Sequence, residues 1–580
     1  MRWQLRTADE QQATRLAADL KLPPVIGRLL VARGITTGEQ AHNFLHPSLD
    51  QLHSPHLMLG MDTAAERLRR AIANHEQVLI YGDYDVDGTT AIVILKTAIE
   101  LCGGSADFHV PHRIREGYGM QDDVIERAAS AGVSLIISVD TGIRAFAAAE
   151  TARRLGVDLI VTDHHLPEGQ GVPPALAVLN PNQAGCAYPC KALCGAGVAF
   201  KLAQLLLEES GRARLLPSFL KMVAIATIAD AVPLVGENRV FASLGLDGLR
   251  HPVNAGLKAL LEVAALSAKK LSATDVAFRI APRLNAAGRM DVAQDVIELF
   301  SVKDARRAQE IAARLNQLNA DRQLEEKRIF EAVEERLASA PEVRDSFCLV
   351  VDGDQWHRGV IGIAATRVVE RYGRPALVLS REDGEAYGSG RSIPAFHLLD
   401  ALESCRKMFT RFGGHAHAVG FSLPCDRVPA LRAALDRYAR ERLTPADFER
   451  VLEYDGDLPL SQVTPAFYEC VQQLNPFGMS NPEPVFAARG ARVALAPKIL
   501  KEKHVKMRLA NGPGKFARGI DALGWRMAER VQQASILAGD AVDVAFTLEL
   551  NDHPEYGGLE LRLEDIVKSA LVQTASASSP

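Results

Sequence analysis

The chain has 580 residues, which is long enough for roughly three to four domains of ordinary size. Its hydrophobic fraction of 47% and charged fraction of 24% are typical of a soluble globular protein, and its formal net charge of −5 excludes a polycation that binds nucleic acid through bulk charge. No apolar run approaches the roughly 18 residues of a membrane helix, and the first residues lack the apolar core of a signal peptide, so we expect a cytoplasmic protein without membrane contact.

Residues 1–50 carry short helical patterns, at 13–20 and 25–33, and are expected to form an N-terminal helical segment. From about residue 60 to 200, β-rich runs alternate with alanine-rich amphipathic helices. This alternation predicts an α/β fold with a parallel sheet and helices on its faces, whose ligands bind beyond the carboxyl ends of the strands. The predicted strands are Val78–Tyr81, Ser134–Val139, Asp158–Thr162 and Ala177–Leu179, and the predicted helices are Ala91–Ile99, Asp122–Ala131 and Phe146–Leu155.

Three carboxylates follow the first of these strands at alternate positions: Asp83, Asp85 and Asp87. Like charges this close repel one another, so the folded state needs a strong counter-charge, and a divalent cation that prefers oxygen ligands supplies it. A calcium loop of the EF-hand type starting at Asp83 is excluded, because its twelfth position is Ile94 and a strand precedes it. A solvated acidic turn is the alternative that remains.

Two more predicted strands end in carboxylate or imidazole groups, one at Asp140 and the other at residues 163–165, Asp-His-His. An apolar run also leads to Asp230, which we expect to be buried and therefore paired or bound to metal. A single Asp after a strand is often only a helix cap, but three strands that bring such groups to one rim indicate a site. Five or more Asp and two His suit two divalent cations that share a bridging carboxylate, and oxygen and imidazole ligands favour Mn²⁺ or Mg²⁺.

Three of the eight cysteines, Cys186, Cys190 and Cys194, follow one another with three residues between neighbours. Three thiols could hold zinc or an iron–sulfur cluster. No fourth Cys or His lies close by in the sequence, and the spacing matches no zinc knuckle, so we do not predict a metal there.

The motif at residues 82–88 (GDYDVDG), together with residues 163–165, resembles the DHH phosphoesterases. The segments 279–290 (RIAPRLNAAGRM), 356–362 (WHRGVIG) and 412–415 (FGGH) narrow the likeness to the RecJ branch of single-strand-specific exonucleases, over almost the whole chain. The resemblance implies a dinuclear metal site. Its implied ligands are Asp83, Asp85, Asp87, Asp140, His164, His165 and Asp230.

The same resemblance implies digestion of single-stranded DNA from 5′ to 3′ to 5′-mononucleotides, in DNA repair and recombination. It also implies a monomer that works with single-strand-binding protein and a DNA helicase. One alternative is a related oligonucleotidase or phosphatase acting on short RNA or cyclic dinucleotides, but such enzymes generally end after their second domain. The other alternative is an inactive DNA-binding scaffold, against which the full set of carboxylates argues.

The implied architecture has five parts after the N-terminal segment. Residues 301–340 contain no Gly or Pro, and a helix of roughly 36 residues would span about 55 Å between domains. The parts are a DHH catalytic domain (51–300), a long connecting helix (301–340), a smaller α/β DHHA1 domain (341–445), an OB-like DNA-binding β-barrel (446–570) and a disordered tail (571–580).

Candidate phosphate contacts lie on several of these parts, because a planar guanidinium binds phosphate bidentately and backbone amides of glycine turns can approach phosphate oxygens. In the DHHA1 domain we predict strands 347–351 and 376–379 beside a helix 361–372, and glycine-bearing turns at 388–392 and 413–418. In the family this domain closes the cleft and grips the backbone or the 5′ end. The candidates are Arg113, Arg115, Arg283, Asn285, Arg289, Gln323, Ser389, Arg391 and His415.

The C-terminal region changes to β-rich segments, at 485–491, 505–509, 517–521 and 542–550. Before them, residues 475–484 resemble the family's linker, with Ser480 where Gly is expected. A basic cluster on one hairpin predicts an electrostatic track for a single strand, although a charged edge strand that blocks aggregation is the alternative. Only Phe516 and Trp525 accompany it, so base stacking is not expected there. The cluster comprises Lys498, Lys501, Lys503, His504, Lys506 and Arg508.

Overall fold

The computed structural model describes residues 1–113, 115–117, 119–167, 169, 171–267, 269–290, 293–511, 519–551, 553 and 557–569, so the predicted tail at 571–580 lies outside the described residues. The chain divides into two compact units. The two-sheet unit comprises residues 52–232 and 236–450, and the barrel unit comprises residues 1–51, 233–235 and 451–580. Among the described helices, none combines the length and apolarity needed to cross a membrane.

The first sheet of the two-sheet unit is parallel throughout, as the alternating pattern predicts. Its interior strands are buried apolar runs, which require helices on both faces. In spatial order the strands are Ala106–His109, Gln77–Tyr81, Val133–Val139, Asp158–Thr162 and Ala177–Leu179. The accompanying helices are Met61–Ala73, Val86–Leu101, Asp122–Ser130, Phe146–Leu155, Gly195–Glu209, Leu216–Ala229, Gly236–Gly248, Ala255–Val263, Ala281–Met290 and Gln294–Ser301.

A single helix, Ala305–Ser339, leads from the first sheet to the second. It has 35 residues, which corresponds to about 52 Å, close to the predicted length. Asp304 caps its start by accepting a hydrogen bond from the Arg307 backbone N–H at 2.7 Å, and the next helix begins at Pro341. The predicted connecting helix is therefore present, but it begins at Ala305, later than the predicted residue 301.

The second sheet has five strands and is mostly antiparallel; only Leu349–Asp354 and Ala376–Glu382 run parallel to each other. Its helices are Ile361–Tyr372, Leu398–Glu403 and Val428–Arg440. In spatial order the strands are Arg411–Gly414, Ala418–Pro424, Glu385–Arg391, Ala376–Glu382 and Leu349–Asp354.

The glycine-bearing turn predicted at 388–392 is wrong, whereas the one predicted at 413–418 is present in part, because residues 415–417 connect the strands Arg411–Gly414 and Ala418–Pro424. Residues 388–391 belong to the strand Glu385–Arg391, and Gly413 and Gly414 end the strand Arg411–Gly414. A Cβ on Gly388 would lie 2.1 Å from the Phe421 ring on the neighbouring strand. This glycine therefore makes room for an aromatic ring inside a sheet, and a turn is not what requires it.

The barrel unit is closed, because the strand Phe486–Leu500 pairs with both His504–Ala510 and Ala541–Asn551. The order of the five barrel strands confirms the predicted OB-like barrel: Phe486–Leu500, His504–Ala510, Ile520–Gly524, Gly558–Lys568 and Ala541–Asn551. The predicted segment 517–521 begins outside the described residues, and the strand continues to Gly524. Ser480 has φ of 59°, the left-handed conformation that favours the glycine expected there.

The N-terminal helices of the barrel unit are Glu10–Leu20, Pro24–Ala32 and Gly38–Leu45. The strand Arg2–Leu5 pairs in parallel with Val451–Tyr454, which joins the N-terminal segment to the C-terminal region in one unit. Leu29 and Leu30 of the second helix are fully buried in the same apolar core as Phe486 of the barrel. Burial of this shared core stabilises the unit as one body.

Candidate metal centre

The carboxyl edge of the first sheet is where the predicted site residues meet. Just beyond the strands, backbone N–H groups still bond to the neighbouring strand: Gly82 to His109 O, Asp140 to Thr162 O, and Asp163 to Leu179 O, each at 3.0 Å. The residues that follow these three strands therefore emerge side by side at one edge of the sheet.

Asp83, Asp85 and Asp87 lie on a segment, here called the acidic loop, that consists of a loop and the first turn of the helix Val86–Leu101, and the loop packs tightly against this turn. Asp85 caps this helix by accepting a hydrogen bond from the Gly88 backbone N–H at 3.0 Å. A Cβ on Gly88 would lie 2.7 Å from the Asp83 backbone, so only glycine allows the loop to fold back this closely. The three carboxylates are thereby held at fixed positions on the loop.

Asp87 reaches from this loop to the N-terminus of another helix, Gly195–Glu209. Its two oxygens accept hydrogen bonds from the Gly195 and Ala196 backbone N–H groups at 2.6 and 2.8 Å. A Cβ on Gly195 would lie 2.5 Å from the Asp140 side chain, so glycine lets two carboxylates share this helix end. The positive end of the helix favours negative charge at this position.

His164 stands at the centre of the carboxylates. Its Nε2 lies 3.3 Å from Asp140 Oδ1, 3.8 Å from Asp87 Oδ2 and 3.8 Å from Asp230 Oδ2. Asp140 has φ of 58°, a left-handed conformation that is uncommon for non-glycine residues and that Asp adopts more readily than most. Asp230 follows the end of the helix Leu216–Ala229 and is half-buried, whereas the sequence predicted a buried carboxylate.

His165 is oriented by Asp163, whose carboxylate is completely buried. Asp163 Oδ1 lies 2.7 Å from His165 Nδ1, and Oδ2 accepts a hydrogen bond from the Ile143 backbone N–H at 2.8 Å. Burial disfavours the charged form of Asp163, but these bonds outweigh it and hold its pKa below the ordinary value. Burial likewise lowers the pKa of His165, yet the hydrogen bond that its Nδ1 makes to Asp163 outweighs burial and raises the pKa to about 9. Such a pairing through Nδ1 leaves Nε2 for a metal.

The ligand atoms form three overlapping sets, and within each set they lie within 4.8 Å of one another. Asp140 and His164 each belong to two sets, as expected where two cations lie close together. The sets are Asp83, Asp85 and Asp140; Asp87, His164 and Asp230; and Asp140, His164 and His165. All seven residues proposed as ligands therefore converge on one place.

The hydrogen bonding and the pKa values of the carboxylates also indicate a site for divalent cations. Asp83 Oδ1 and Asp140 Oδ1 are buried and accept no hydrogen bond from the described residues. Burial, followed by the nearby carboxylates, raises the pKa of both groups well above the ordinary value, and the same causes raise the pKa of Asp230 to about 8. Desolvated oxygens that repel one another and lack donors are the environment that a hard cation relieves.

The helix Ala281–Met290 closes over the acidic loop from the other side. The Val86 backbone N–H donates to Asn285 Oδ1 at 3.1 Å, and a Cβ on Gly288 would lie 2.3 Å from Tyr84 O. Asn285, expected to position a phosphate or a water, thus holds the loop backbone through its oxygen. Its side-chain NH₂ is not engaged in that bond.

Three of the predicted arginines gather beside the acidic loop. Arg289 donates to Gly359 O at 3.2 Å, and burial, then the Arg113 charge, lowers its pKa to about 10. Arg113 lies over the Tyr84 ring, 4.8 Å from its centre. Burial and Arg113 also lower the pKa of Arg391, so the three guanidinium groups repel one another across a small space.

Two other predicted residues of the second sheet lie next to Arg391. Its guanidinium donates to Ser389 Oγ at 3.1 Å. His415 is largely exposed, and partial desolvation of its ring, followed by the charges of His417 and Arg391, lowers its pKa. Ser389, Arg391 and His415 therefore form one polar group on the second sheet.

Three further candidates of the two-sheet unit are Arg283, Gln323 and Arg115. Arg283 donates to Asn316 Oδ1 at 2.9 Å, and Gln323 is exposed on the long helix. Arg115 is exposed as well. In the barrel unit, Lys506 lies 3.1 Å from Asp521, and Arg508 lies 3.8 Å from the same carboxylate. Lys501 and Lys503 are exposed at the hairpin tip.

Two asparagines that the sequence pattern did not single out fix the histidine pair. Asn180 donates to His165 O and Asn182 donates to His164 O, both at 2.9 Å. They follow the strand Ala177–Leu179 and so reach the same edge of the sheet. Their position just after the predicted strand 177–179 could have indicated that these amide side chains lie at the site.

Comparisons with known proteins agree with this geometry. The model of the DHH family, N-terminal domain, matches residues 77–227, that of the DHHA1 domain matches residues 345–441, and that of the RecJ OB domain matches residues 454–565. The single-stranded-DNA-specific exonuclease RecJ of Bacillus subtilis (strain 168) is 38% identical over 573 residues, covering 98% of this chain and 71% of that protein. The protein of the same name from Dickeya dadantii (strain 3937) is 35% identical, covering 94% and 96%.

Solved structures show the same likeness. The crystal structure of RecJ from Thermus thermophilus in complex with Mn²⁺ matches with a TM-score of 0.83 at 29% identity, covering 98% of this chain and 79% of that chain. The Mg²⁺ complex from the same organism matches with a TM-score of 0.76 at 28% identity, covering 98% and 78%.

Proposed function

The chain belongs to the RecJ family of single-stranded-DNA-specific exonucleases, and from this we propose that it hydrolyses single-stranded DNA at the carboxyl edge of its first sheet. The observation that carries the proposal is the convergence of five carboxylates and two imidazoles, with two buried oxygens that accept no hydrogen bond from the described residues.

Two divalent cations, Mn²⁺ or Mg²⁺, fit these donors, and the same two metals are those of the Thermus thermophilus complexes. When bound, such cations act as Lewis acids that activate water and neutralise charge at phosphorus. The residues proposed to hold them are Asp83, Asp85, Asp87, Asp140, His164, His165 and Asp230.

The chain's own contribution is orientation. Asp163 fixes the tautomer and ring position of His165, and Asn285 together with the Gly195 helix end fixes the loop that carries the carboxylates. These positions are set before substrate arrives, so little rearrangement opposes the reaction.

The residues proposed to bind phosphate are Arg113, Arg289 and Arg391, here called the arginine group. Arg113, Arg289 and Arg391 repel one another, and a bidentate phosphate between guanidinium groups removes that repulsion. Ser389 and His415 lie next to Arg391 and complete a grip suited to the 5′ end of a strand. We propose digestion from 5′ to 3′ with 5′-mononucleotides as products, as the resemblance to the family implies.

Digestion of long single strands labelled at either end, with Mn²⁺ and with EDTA, tests the proposal. We expect early release of a 5′ label as mononucleotide, late release of a 3′ label, and no release in EDTA. Cleavage restricted to dinucleotides or cyclic dinucleotides would instead identify an oligonucleotidase, and binding without any release would identify a scaffold.

The cellular setting belongs to the proposal too: a cytoplasmic monomer that acts in DNA repair and recombination with single-strand-binding protein and a DNA helicase. Family membership supports it. Light scattering on the purified chain gives the oligomeric state, and a mass near 62.9 kDa is expected. Binding to each purified partner, measured without DNA, tests the rest.

A further inference from the structure

Although the few aromatic residues of this region did not predict base stacking, we propose that the tip of one hairpin in the barrel unit is a stacking site for a base of single-stranded DNA, with the Trp525 ring as its platform. The hairpin consists of the strands Phe486–Leu500 and His504–Ala510. The choice of DNA as ligand rests on the proposed function; the site itself rests on the geometry below.

The ring is exposed yet held in place. Trp525 directly follows the strand Ile520–Gly524 and lies beside His504, because Val505 pairs with Gly524. The His504 ring meets the indole edge-on, with centres 4.6 Å apart and planes at 73°. Nevertheless 55% of the Trp525 surface is open to solvent. A large aromatic ring fixed from one side and exposed on the other can receive a base.

The backbone around the ring is held by hydrogen bonds. Lys501 and Glu502 both have left-handed φ values, 47° and 58°, and the Lys503 N–H bonds Leu500 O at 3.2 Å, which makes a tight two-residue turn. The Arg526 backbone N–H donates to His504 Nδ1 at 3.0 Å. A platform that is already ordered loses little conformational entropy on binding.

The charge around the ring favours a phosphate backbone. Four exposed cations belong to this region: two at the hairpin tip, one next to Trp525 in sequence, and one farther along the hairpin, opposite Lys506; the tip also carries one exposed acid, Glu502. Among the described residues, none of these cations is ion-paired. They are Lys498, Lys501, Lys503 and Arg526.

The other half of the basic cluster differs. Lys506 is paired with Asp521 at 3.1 Å and Glu560 at 3.4 Å, and Arg508 lies 3.8 Å from Asp521. These two cations lie farther from the tip and have carboxylate partners. Among the described residues, the lysines of the predicted track without an ion pair are therefore Lys498, Lys501 and Lys503, and the last two lie at the tip.

A nucleobase suits this combination better than a peptide. Every base has a π-face that stacks on an indole regardless of sequence, and its phosphate meets the lysines at the same time. The site would thus hold a single strand without reading it.

Tryptophan fluorescence tests the site directly, since the chain has three tryptophans. Trp356 is only 6% exposed, and Trp3 donates its Nε1–H to Asp565 at 2.7 Å. In EDTA, which prevents hydrolysis, we expect an oligo(dT) to quench the emission of the whole chain. Trp525→Phe should abolish most of the quenching and keep the Kd within about threefold, whereas Trp525→Ala should raise the Kd by on the order of tenfold.

Leu495→Ala is the matched control, because Leu495 is an exposed apolar residue on the same hairpin and should leave binding unchanged. Heparin, a polyanion without bases, should bind without quenching. Equal quenching in Trp525→Phe, an unchanged Kd in Trp525→Ala, or quenching by heparin overturns the proposal. Because these measurements need no cleavage, a chain that quenches but never digests DNA refutes only the proposed function.

Discussion

Replacing Asp163 by Asn separates the orientation of His165 from the metal ligands themselves. In the native site Asp163 Oδ1 lies 2.7 Å from His165 Nδ1 and accepts hydrogen bonds from the backbone N–H groups of His164 and His165 at 2.8 and 3.1 Å. The other oxygen, Oδ2, accepts a hydrogen bond from the Ile143 backbone N–H. An Asn side chain keeps only one of the two oxygens. Its best orientation retains the three bonds of Oδ1 and turns an NH₂ toward the Ile143 N–H.

The hydrogen bonds lost in Asp163→Asn set the expected changes in folding free energy and in Mn²⁺ affinity. One buried N–H without an acceptor costs about 1–3 kcal/mol of folding free energy. The bond to His165 also loses its ionised acceptor, and charge-assisted bonds are roughly twice as strong as neutral ones. Loss of such an outer partner typically weakens metal binding by about 10- to 100-fold. We therefore expect a modestly destabilised protein with a Mn²⁺ Kd raised by on the order of tenfold or more.

Calorimetric titration with Mn²⁺ and urea unfolding in EDTA measure the two effects separately. Asp107→Asn is the control, because Asp107 is exposed on the edge strand Ala106–His109 of the same sheet. A Mn²⁺ affinity within twofold of the unchanged protein, at a stability that shows the variant is folded, would refute the view that Asp163 orients a metal ligand.

Three other predictions test the site and the fold. Asp85→Ala and His164→Ala should lower the cleavage rate by at least about 100-fold, because loss of a metal ligand costs more than loss of a residue that orients one. Circular dichroism and filter binding should show that folding and DNA binding are nearly intact. Undiminished nuclease rates would contradict the assignment. Burial and the neighbouring carboxylates raise the pKa of Asp230 to about 8, so between about pH 4 and 8 the native state binds a proton that the unfolded state releases. In EDTA the unfolding free energy should therefore fall as the pH rises through this range. The variant Asp230→Asn should flatten that decline, which urea titrations at several pH values measure. Gly388→Ala, whose Cβ would meet an aromatic ring at 2.1 Å, should lower the unfolding free energy by about 1–3 kcal/mol, whereas Gly420→Ala on the adjacent strand, with open space around it, should not.

The site was predictable because each of its parts follows a short apolar strand of a parallel sheet. In such a sheet the strand ends meet at one edge, so Asp83, Asp140 and His164 could be placed together without any knowledge of distances. Local sequence carries no comparable signal for contacts made across the fold. Asn285 lies 199 positions from its partner Val86, and only the assembled structure shows that its oxygen holds a backbone N–H.

The wrong prediction at residues 388–392 has a similar origin. Glycine serves both turns and close packing, and composition does not distinguish them. The alternation of Gly388 and Gly390 around Ser389 has the period of a strand, with both glycines on one face, and that face receives Phe421, Leu398 and Val419. Spacing was therefore more informative than residue type.

The acidic loop and the arginine group (Arg113, Arg289 and Arg391) together explain why substrate and cations should bind together. On one side, burial and mutual repulsion raise the pKa of Asp83 and Asp140; on the other, burial and mutual repulsion lower the pKa of Arg289 and Arg391. Neither set neutralises the other fully, because each keeps a shifted pKa in the folded protein. A cation relieves the first set, and a phosphate relieves the second. A phosphodiester bound with its cations satisfies both at once, so the repulsion within each set favours the complex in which hydrolysis occurs.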